Sequence, residues 1–216
     1  VLSAITAACE PEKLNIFICW QHGESCSLDR IFDLPHVTII SIPADQSQGV
    51  CWARHMIQQA MLESAAPPIS DVDYFLQIDA HHRFVDGWDR LLINMLSGLE
   101  KNEVARPILT TYLPAFDPAD DPAARVDVPW YLGFDHFDTS GVLLLAPYTS
   151  PEPQQAPVST HFWSAHFSFS RASFIRDVPV DPHGYFHGEE ISIAVRAWTH
   201  GYDLFSPHIL IAWHEY

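Results

Sequence analysis

Apolar runs alternate with segments of helical periodicity along most of this chain. Runs of apolar and β-branched residues between polar or proline residues predict buried strands. These strands are expected at 14–20, 37–42, 73–79, 107–113, 165–169, 202–206 and 209–213. Apolar residues spaced three and four apart predict helices at 50–64, 88–99 and 188–200. Strands that alternate with helices indicate an α/β fold with a mainly parallel, doubly wound sheet, whose ligands bind at the carboxyl ends of the strands.

The helix predicted at 188–200 has recognisable ends. Glu189 and Glu190 stand in its first turn, where the helix dipole favours negative charge, and Gly201 can cap its carboxyl end. A set of apolar residues in this helix recurs at helical spacing and is therefore expected to face the core. These residues are Ile191, Val195 and Trp198.

Segment 114–160 breaks the pattern. It is rich in proline, aspartate and aromatic residues, and only 141–145 within it has the character of a strand. Loops of this length in a compact domain are usually functional or disordered, and the aromatic residues argue against disorder. Two interpretations stay open: the segment binds an acceptor or closes over a site as a lid, or it is a passive surface excursion.

The composition fits a single folded domain that spans residues 1–216. Forty-eight per cent of the residues are hydrophobic, enough for a proper core. Eleven basic and 27 acidic side chains give a formal charge of −16, which argues against nucleic acids and anionic membrane surfaces as partners. No run approaches the ~20 apolar residues that a membrane span needs, and no signal segment opens the chain. We therefore expect a protein without a membrane span, located in the cytoplasm.

The chemistry most visible in the sequence is Asp79-Ala80-His81, at the end of a predicted strand. Because successive side chains of a strand alternate between its faces, Asp79 and His81 are expected to point the same way. A carboxylate oxygen and an imidazole nitrogen on one face suit Mn²⁺ or a similar divalent ion that also binds phosphate oxygens. The same tripeptide is common in solvated turns, so by itself it leaves both interpretations open.

Three segments in this order resemble a known family of glycosyltransferases. They are residues 76–85 with Gly87-Trp88-Asp89, residues 188–203, and His214. Together they resemble the GlcNAc transferases that modify hydroxyproline on a ubiquitin-ligase subunit, and the bacterial relatives of those enzymes. Their order and spacing are also similar to those of the polypeptide GalNAc transferases. The resemblance covers most of the chain and weakens through 114–160.

The resemblance implies a GT-A fold and the transfer of a sugar, such as GlcNAc, from a UDP-sugar to a hydroxyl on a protein or glycan. Relatives retain the anomeric configuration, which is expected here as well. The resemblance further implies that Asp79, His81 and His214 bind a divalent metal, Mn²⁺ in the first place and Mg²⁺ as the alternative. Three protein ligands leave positions open for two diphosphate oxygens, so the ion can neutralise the charge of the departing UDP.

Other residues receive a role through the same resemblance. Those expected to bind the donor are Arg54, Asp79, Trp163, His166 and Gly188. The expected catalytic residues are Glu189 and Glu190, which would bind donor hydroxyls or orient the acceptor. Each of these roles has a structural alternative: the arginine can form a salt bridge, Trp163 and His166 can be core residues, and the two glutamates can cap the helix.

One departure from the family pattern affects the expected fold. Family members have a strand upstream of the helix that opens this chain, and that segment contacts the nucleotide base. We therefore expect an N-terminally truncated domain whose sheet lacks its first strand, with weakened donor binding and an exposed sheet edge.

Two other functions stay open. One is a degenerate, non-catalytic domain that binds a nucleotide sugar. The other is a metal-dependent hydrolase, although the sequence contains no H-E-x-x-H motif. The identity of the acceptor, and the choice between UDP-GlcNAc and UDP-GalNAc, also stay open, because that choice depends on a few contacts to one hydroxyl.

Overall fold

The computed structural model describes residues 1–23, 31, 34–64 and 68–216. Its helices are α1 (Leu2–Ala7), α2 (Val50–Ser64), α3 (Trp88–Lys101), α4 (Phe174–Asp177) and α5 (Glu189–Thr199). Its strands are β1 (Ile16–His22), β2 (Val37–Pro43), β3 (Tyr74–Ile78), β4 (His82–Phe84), β5 (Pro107–Thr110), β6 (Tyr131–Phe137), β7 (Leu143–Tyr148), β8 (Val158–Thr160), β9 (Phe167–Arg171), β10 (Asp203–Ser206) and β11 (Ala212–His214). The hydrophobic pattern does not predict β4, β6 or β8, which are short or lie within 114–160.

A five-stranded sheet with the order β3-β9-β5-β10-β8 forms the centre of the described structure. β5 and β10 pair in parallel, whereas β9 is antiparallel to both β3 and β5, and β8 is antiparallel to β10. The prediction of a mainly parallel sheet is therefore confirmed only in part. Parallel neighbours need a long crossover, usually helical. Residues 111–166, which connect β5 to β9, contain no α-helix, and β9 is antiparallel to β5.

Three further strand pairs lie outside this sheet. β1 and β2 pair in parallel, β4 and β11 are antiparallel, and so are β6 and β7. Within the central sheet β3, β5 and β10 run in one direction, so their carboxyl ends meet at one edge. Asp79 follows β3 at this edge, where the sequence placed it. The absence of a first strand stays a prediction.

Separate apolar clusters cover the two faces of the central sheet. In β5, Ile108 belongs to one cluster and the adjacent Leu109 to the other, because successive side chains alternate between the faces. α3 covers the Leu109 face with fully buried side chains that include Leu92 and Leu96. α4 and α5 cover the opposite face. Burial on both sides explains why the run at β5 is apolar without alternation.

The buried face of α5 differs from the sequence prediction. The buried residues of this helix are Ile193, Ala194 and Ala197. Val195 is 53% exposed and Trp198 is 73% exposed, so the expectation that they face the core is wrong. Two alanines face the sheet because small side chains let the helix backbone approach it closely. Hydrophobicity alone favours the larger side chains and therefore selects the wrong face.

Segment 114–160 contains the antiparallel pair β6–β7 in place of an unstructured loop. Tyr131 and Leu132 are buried at the start of β6, whereas Phe134 and Phe137 further along are more than half exposed and contact each other. At its beginning the segment pairs with β11 through Ala115 and His214. In the part of the chain that is described, none of the helices has the length and apolar character of a membrane span.

Candidate functional site

The three predicted metal ligands come together where β3 ends. Asp79 follows β3, and the chain turns through His81 into β4. β4 pairs with β11 so that His82 lies opposite His214 in the register, which carries His214 to the same place. One ligand atom from each of Asp79, His81 and His214 lies within 4.8 Å of the others. The turn after β3 and the β4–β11 pairing therefore assemble the cluster.

The chemistry of this cluster fits a divalent cation. It offers a carboxylate oxygen and two imidazole nitrogens, a mixed set that suits Mn²⁺. Both ring nitrogens of His214 are buried and have no hydrogen-bond partner among the described residues, and unpaired buried polar atoms indicate a partner that is still to bind. Burial, together with the charge of His81, lowers the pKa of His214 to about 4. At neutral pH its ring is therefore uncharged and has a lone pair for a metal.

Arg54, on α2, forms ion pairs with two carboxylates of the site. Its Nη2 donates to Oδ1 of Asp79 at 2.6 Å, and its Nη1 donates to Oε2 of Glu189. The side chains of Arg54 and Glu189 are 10% and 6% exposed, so this pair is buried and differs from the surface salt bridge that the sequence left open, whereas the Asp79 side chain is 29% exposed. Burial opposes the charge of Arg54, but Glu189 and Asp79 outweigh it and raise the pKa of the guanidinium.

The two glutamates at the start of α5 have different surroundings. Glu190 accepts hydrogen bonds at both oxygens, from the backbone N–H of Ala165 at 2.9 Å and from the Tyr112 hydroxyl at 2.6 Å. Glu189 uses Oε2 for Arg54, and its buried Oε1 has no partner in the described structure. Burial raises the pKa of both carboxyl groups, and Arg54 opposes this for Glu189. Of the two glutamates, only Glu189 therefore has an oxygen without a hydrogen-bond partner in the described structure, and the thiol of Cys51 lies close to its carboxylate.

Gly188 precedes these glutamates and fixes how α5 begins. Its φ of +89° is a left-handed conformation that glycine adopts without steric cost. No described atom lies within 4 Å of where a Cβ would be, so the backbone conformation, not the available space, calls for glycine. Gly188 therefore sets the start of the helix that carries the two glutamates, and its donor-binding role stays a prediction.

His166 and Trp163 lie at different depths. His166 accepts the backbone N–H of Leu113 at Nε2, 2.9 Å away, so its neutral ring carries the proton on Nδ1. It also stacks on His214, with ring centroids 4.3 Å apart and planes 15° apart. Trp163 is 1% exposed and donates to Ser168 Oγ at 2.8 Å within the core. The structure therefore places His166 beside the metal cluster and Trp163 in the apolar core.

Two tyrosines of the site have no counterpart in the sequence predictions. Tyr112 bonds Glu190 and stacks on His166, with centroids 5.0 Å apart. Tyr216 contacts His214 edge-on at 4.3 Å and donates its hydroxyl proton to the Leu113 carbonyl. Tyr112 could have been found by the rule that identified Asp79, since it follows the carboxyl end of a strand. Tyr216 carries no such signal.

Comparison with known proteins gives this site its context. A family model described as "Glycosyltransferase (GlcNAc)" matches residues 3–216. The chain belongs to this glycosyltransferase family. The transferase is also similar in fold to a crystal structure of GalNAc-T7 with UDP, GalNAc and Mn²⁺, with a TM-score of 0.64 and 15% sequence identity. This similarity confirms a mixed α/β fold of the GT-A type.

The match to GalNAc-T7 covers 94% of the transferase chain but 38% of the other chain, so the transferase spans well under half of that protein's length. No curated protein matches the transferase in sequence. Membership of the family places the chain among the glycosyltransferases.

Proposed function

We propose that this transferase moves GlcNAc, or a similar sugar, from a UDP-sugar to a hydroxyl on a protein or glycan. We propose further that Asp79, His81 and His214 bind the divalent cation, Mn²⁺ in the first place and Mg²⁺ as the alternative. The observation that carries the proposal is the convergence of these three ligand atoms within 4.8 Å of one another. When bound, the cation would neutralise the charge of the diphosphate oxygens.

Glu189 and His166 supply the other contacts proposed for the donor. Oε1 of Glu189, which has no hydrogen-bond partner among the described residues, is the acceptor proposed for a sugar hydroxyl, while the ion pair with Arg54 holds the carboxylate in place. His166 offers a donor, because its Nε2 is taken by a backbone N–H and its proton is therefore on Nδ1. A buried acceptor and a buried donor can orient a sugar strongly, since little water competes for them.

We propose retention through a front-face route. A double displacement needs a free carboxylate beneath the anomeric carbon as nucleophile. Both oxygens of Glu190 are already hydrogen-bonded, and Glu189 is paired with Arg54, so both are better suited to orienting other groups. In the front-face route a phosphate oxygen of the departing UDP takes the proton of the acceptor hydroxyl. The protein then has to hold the two substrates in the right geometry.

The acceptor site is proposed for segment 114–160. β6–β7 in this segment exposes Phe134 and Phe137, and β11, which carries His214, pairs with the residues where the segment begins. An acceptor that packs against these rings would reach the site from the side of His214. The cytoplasmic location expected from the sequence is likewise a proposal.

Calorimetric titration with UDP-GlcNAc tests this function. Wild-type protein is titrated with Mn²⁺ and with a chelator, and Asp79→Asn is titrated with Mn²⁺. Asp203→Asn is the matched control, because it removes the same charge from an exposed side chain at the amino end of β10, the opposite edge of the sheet. We expect the chelator and Asp79→Asn to abolish binding and Asp203→Asn to leave it unchanged. Binding that survives both treatments would show that the metal site is wrong, and wild-type protein that never binds would refute the donor assignment.

A further inference from the structure

His82 is a buried histidine of the site to which the proposed function gives no role. It is 4% exposed, and its register partner across the β4–β11 pair is His214. Residues directly opposite each other in an antiparallel pair have neighbouring side chains on one face of the sheet. The ring centroids of His82 and His214 lie 4.9 Å apart, with planes inclined by 60°. His82 is therefore the cross-strand neighbour of a proposed metal ligand.

The hydrogen bonding of His82 determines which of its nitrogens carries the proton. Nδ1 lies 2.9 Å from the backbone carbonyl oxygen of Asp79. A carbonyl oxygen only accepts, so Nδ1 must donate, and the neutral ring then has its lone pair on Nε2. That Nε2 is buried without a partner in the described structure. His82 thus holds an unused acceptor beside His214.

Nδ1 of His214, in turn, lacks a hydrogen-bond acceptor in the part of the chain that is described. Its Nε2 is the nitrogen nearest to Asp79, 4.0 Å from Oδ2, so this nitrogen faces the proposed metal position. A histidine that binds a metal through one nitrogen carries its proton on the other and almost always donates it to an acceptor. Nδ1 of His214 is buried and has no partner among the described residues.

We propose that His82 is a positioning residue that accepts a hydrogen bond from Nδ1–H of His214 and so holds Nε2 of that ring toward the metal. The inference rests on the proposed metal site. The described structure contains no hydrogen bond between Nδ1 of His214 and Nε2 of His82. Each imidazole nitrogen lies roughly 1 Å from its ring centroid, so centroids 4.9 Å apart leave room for a rotation of the rings to bring the nitrogens to about 3 Å, the length of a hydrogen bond. The chain of donors then runs from His214 to His82 and from His82 to the carbonyl of Asp79.

The other neighbours of His214 are less suitable acceptors. His166 stacks on the face of the His214 ring, whereas an imidazole N–H donates within the plane of its ring, and Nε2 of His166 is occupied by Leu113. Tyr216 contacts His214 edge-on, and its hydroxyl already donates to the Leu113 carbonyl. The Tyr216 oxygen still has a lone pair, so it is the competitor that an experiment must separate from His82.

The test measures Mn²⁺ affinity by calorimetry without nucleotide, and the melting temperature of each metal-free protein. His82→Leu removes both ring nitrogens, His82→Gln keeps an acceptor near the position of Nε2, and Tyr216→Phe removes the competing oxygen. We expect His82→Leu to weaken Mn²⁺ binding by about 10- to 100-fold, the usual effect of losing such a partner. His82→Gln should recover most of the affinity, and Tyr216→Phe should bind like the wild type.

Nitrogen NMR of the metal-free wild type provides a second reading that does not depend on any variant folding. The proposal predicts a proton on Nδ1 of both His82 and His214. A proton on Nε2 of either ring overturns it, as does a His82→Leu protein that melts earlier but binds Mn²⁺ as tightly as the wild type, or a Tyr216→Phe protein that alone loses affinity. Wild-type protein that binds no Mn²⁺ refutes the proposed metal site itself, which the NMR result does not address.

Discussion

Replacing Arg54 by methionine is the sharpest test of how the site is held together. Methionine keeps an unbranched apolar chain but removes the guanidinium that pairs with Asp79 and Glu189. The Glu189 side chain is 6% exposed and is left with a buried charge, whereas the Asp79 side chain is 29% exposed and can be partly solvated. The cost should therefore come mainly from Glu189.

Breaking a buried ion pair by removing one partner typically costs about 3–5 kcal/mol, and a partly exposed pair contributes only about 0–1 kcal/mol. We therefore expect Arg54→Met to lower the free energy of unfolding by about 3–5 kcal/mol. Urea unfolding at neutral pH measures this. The double variant Arg54→Met/Glu189→Met also removes the unpaired charge of Glu189. Its free energy of unfolding should therefore return most of the way to the wild-type value. Arg90→Met, at an exposed arginine on α3, is the matched control and should stay within about 0.5 kcal/mol of the wild type.

The loss of stability in Arg54→Met should also depend on pH, because the unpaired carboxylate of Glu189 can be neutralised by binding a proton. Burial raises its pKa and Arg54 opposes that shift, so removing Arg54 raises the pKa further. When a carboxyl group has a higher pKa in the folded state than in the unfolded state, the free energy of unfolding of the protein falls as the pH rises through the folded-state pKa. The deficit of Arg54→Met should thus be smaller near about pH 5 than near about pH 8. A deficit below about 1 kcal/mol at neutral pH, or no recovery in the double variant, would refute this reasoning.

Three more predictions test the same structure. Glu190→Gln should cost about 1–3 kcal/mol in urea unfolding, because it disturbs the hydrogen bonds of Tyr112 and Ala165, yet reduce UDP-GlcNAc affinity less than Glu189→Gln does. Leu92→Ala should cost about 2–5 kcal/mol, whereas Trp198→Ala should stay within about 0.5 kcal/mol; similar losses would contradict the orientation of α5. Gly188→Ala should lower stability by about 1–2 kcal/mol because of its positive φ, and an unchanged melting temperature would count against that conformation.

The residues of the metal cluster differ in how far the sequence could predict them. Alternation along the predicted strand leads us to expect Asp79 and His81 on one side, and the structure does bring them together, but through the turn that follows β3. Placing His214 beside them depended on resemblance to a family, because its position comes from the pairing of β4 with β11. Both are three-residue strands, too short to have a periodicity of their own. Long-range pairing of such short elements depends on tertiary structure, which a local pattern does not contain.

The errors in the predicted fold also arise because the features concerned depend on tertiary structure. Alternating strands and helices suggested a mainly parallel sheet, but β9, which follows β5 after a connection without an α-helix, is antiparallel to both β3 and β5. In α5 two of the three residues predicted to face the core, Val195 and Trp198, are exposed, and the buried residues are Ile193, Ala194 and Ala197. The orientation of this helix also has to satisfy Glu189 and Glu190, whose partners come from α2, from Tyr112 and from Ala165. Only the assembled structure brings those partners together.

The Asp79 carboxylate shows how structural and ligand-binding roles can share one side chain. Its Oδ1 accepts from Arg54, whereas its Oδ2 is the oxygen that lies toward His214. A cation bound at Oδ2 would therefore not have to break the ion pair that holds Asp79 and Glu189 in place. The pair in turn fixes the direction of Oδ2, so the geometry of the proposed metal site is largely set before the cation binds. Preorganisation of this kind lowers the cost of binding, because the carboxylate does not have to be ordered when the ion arrives.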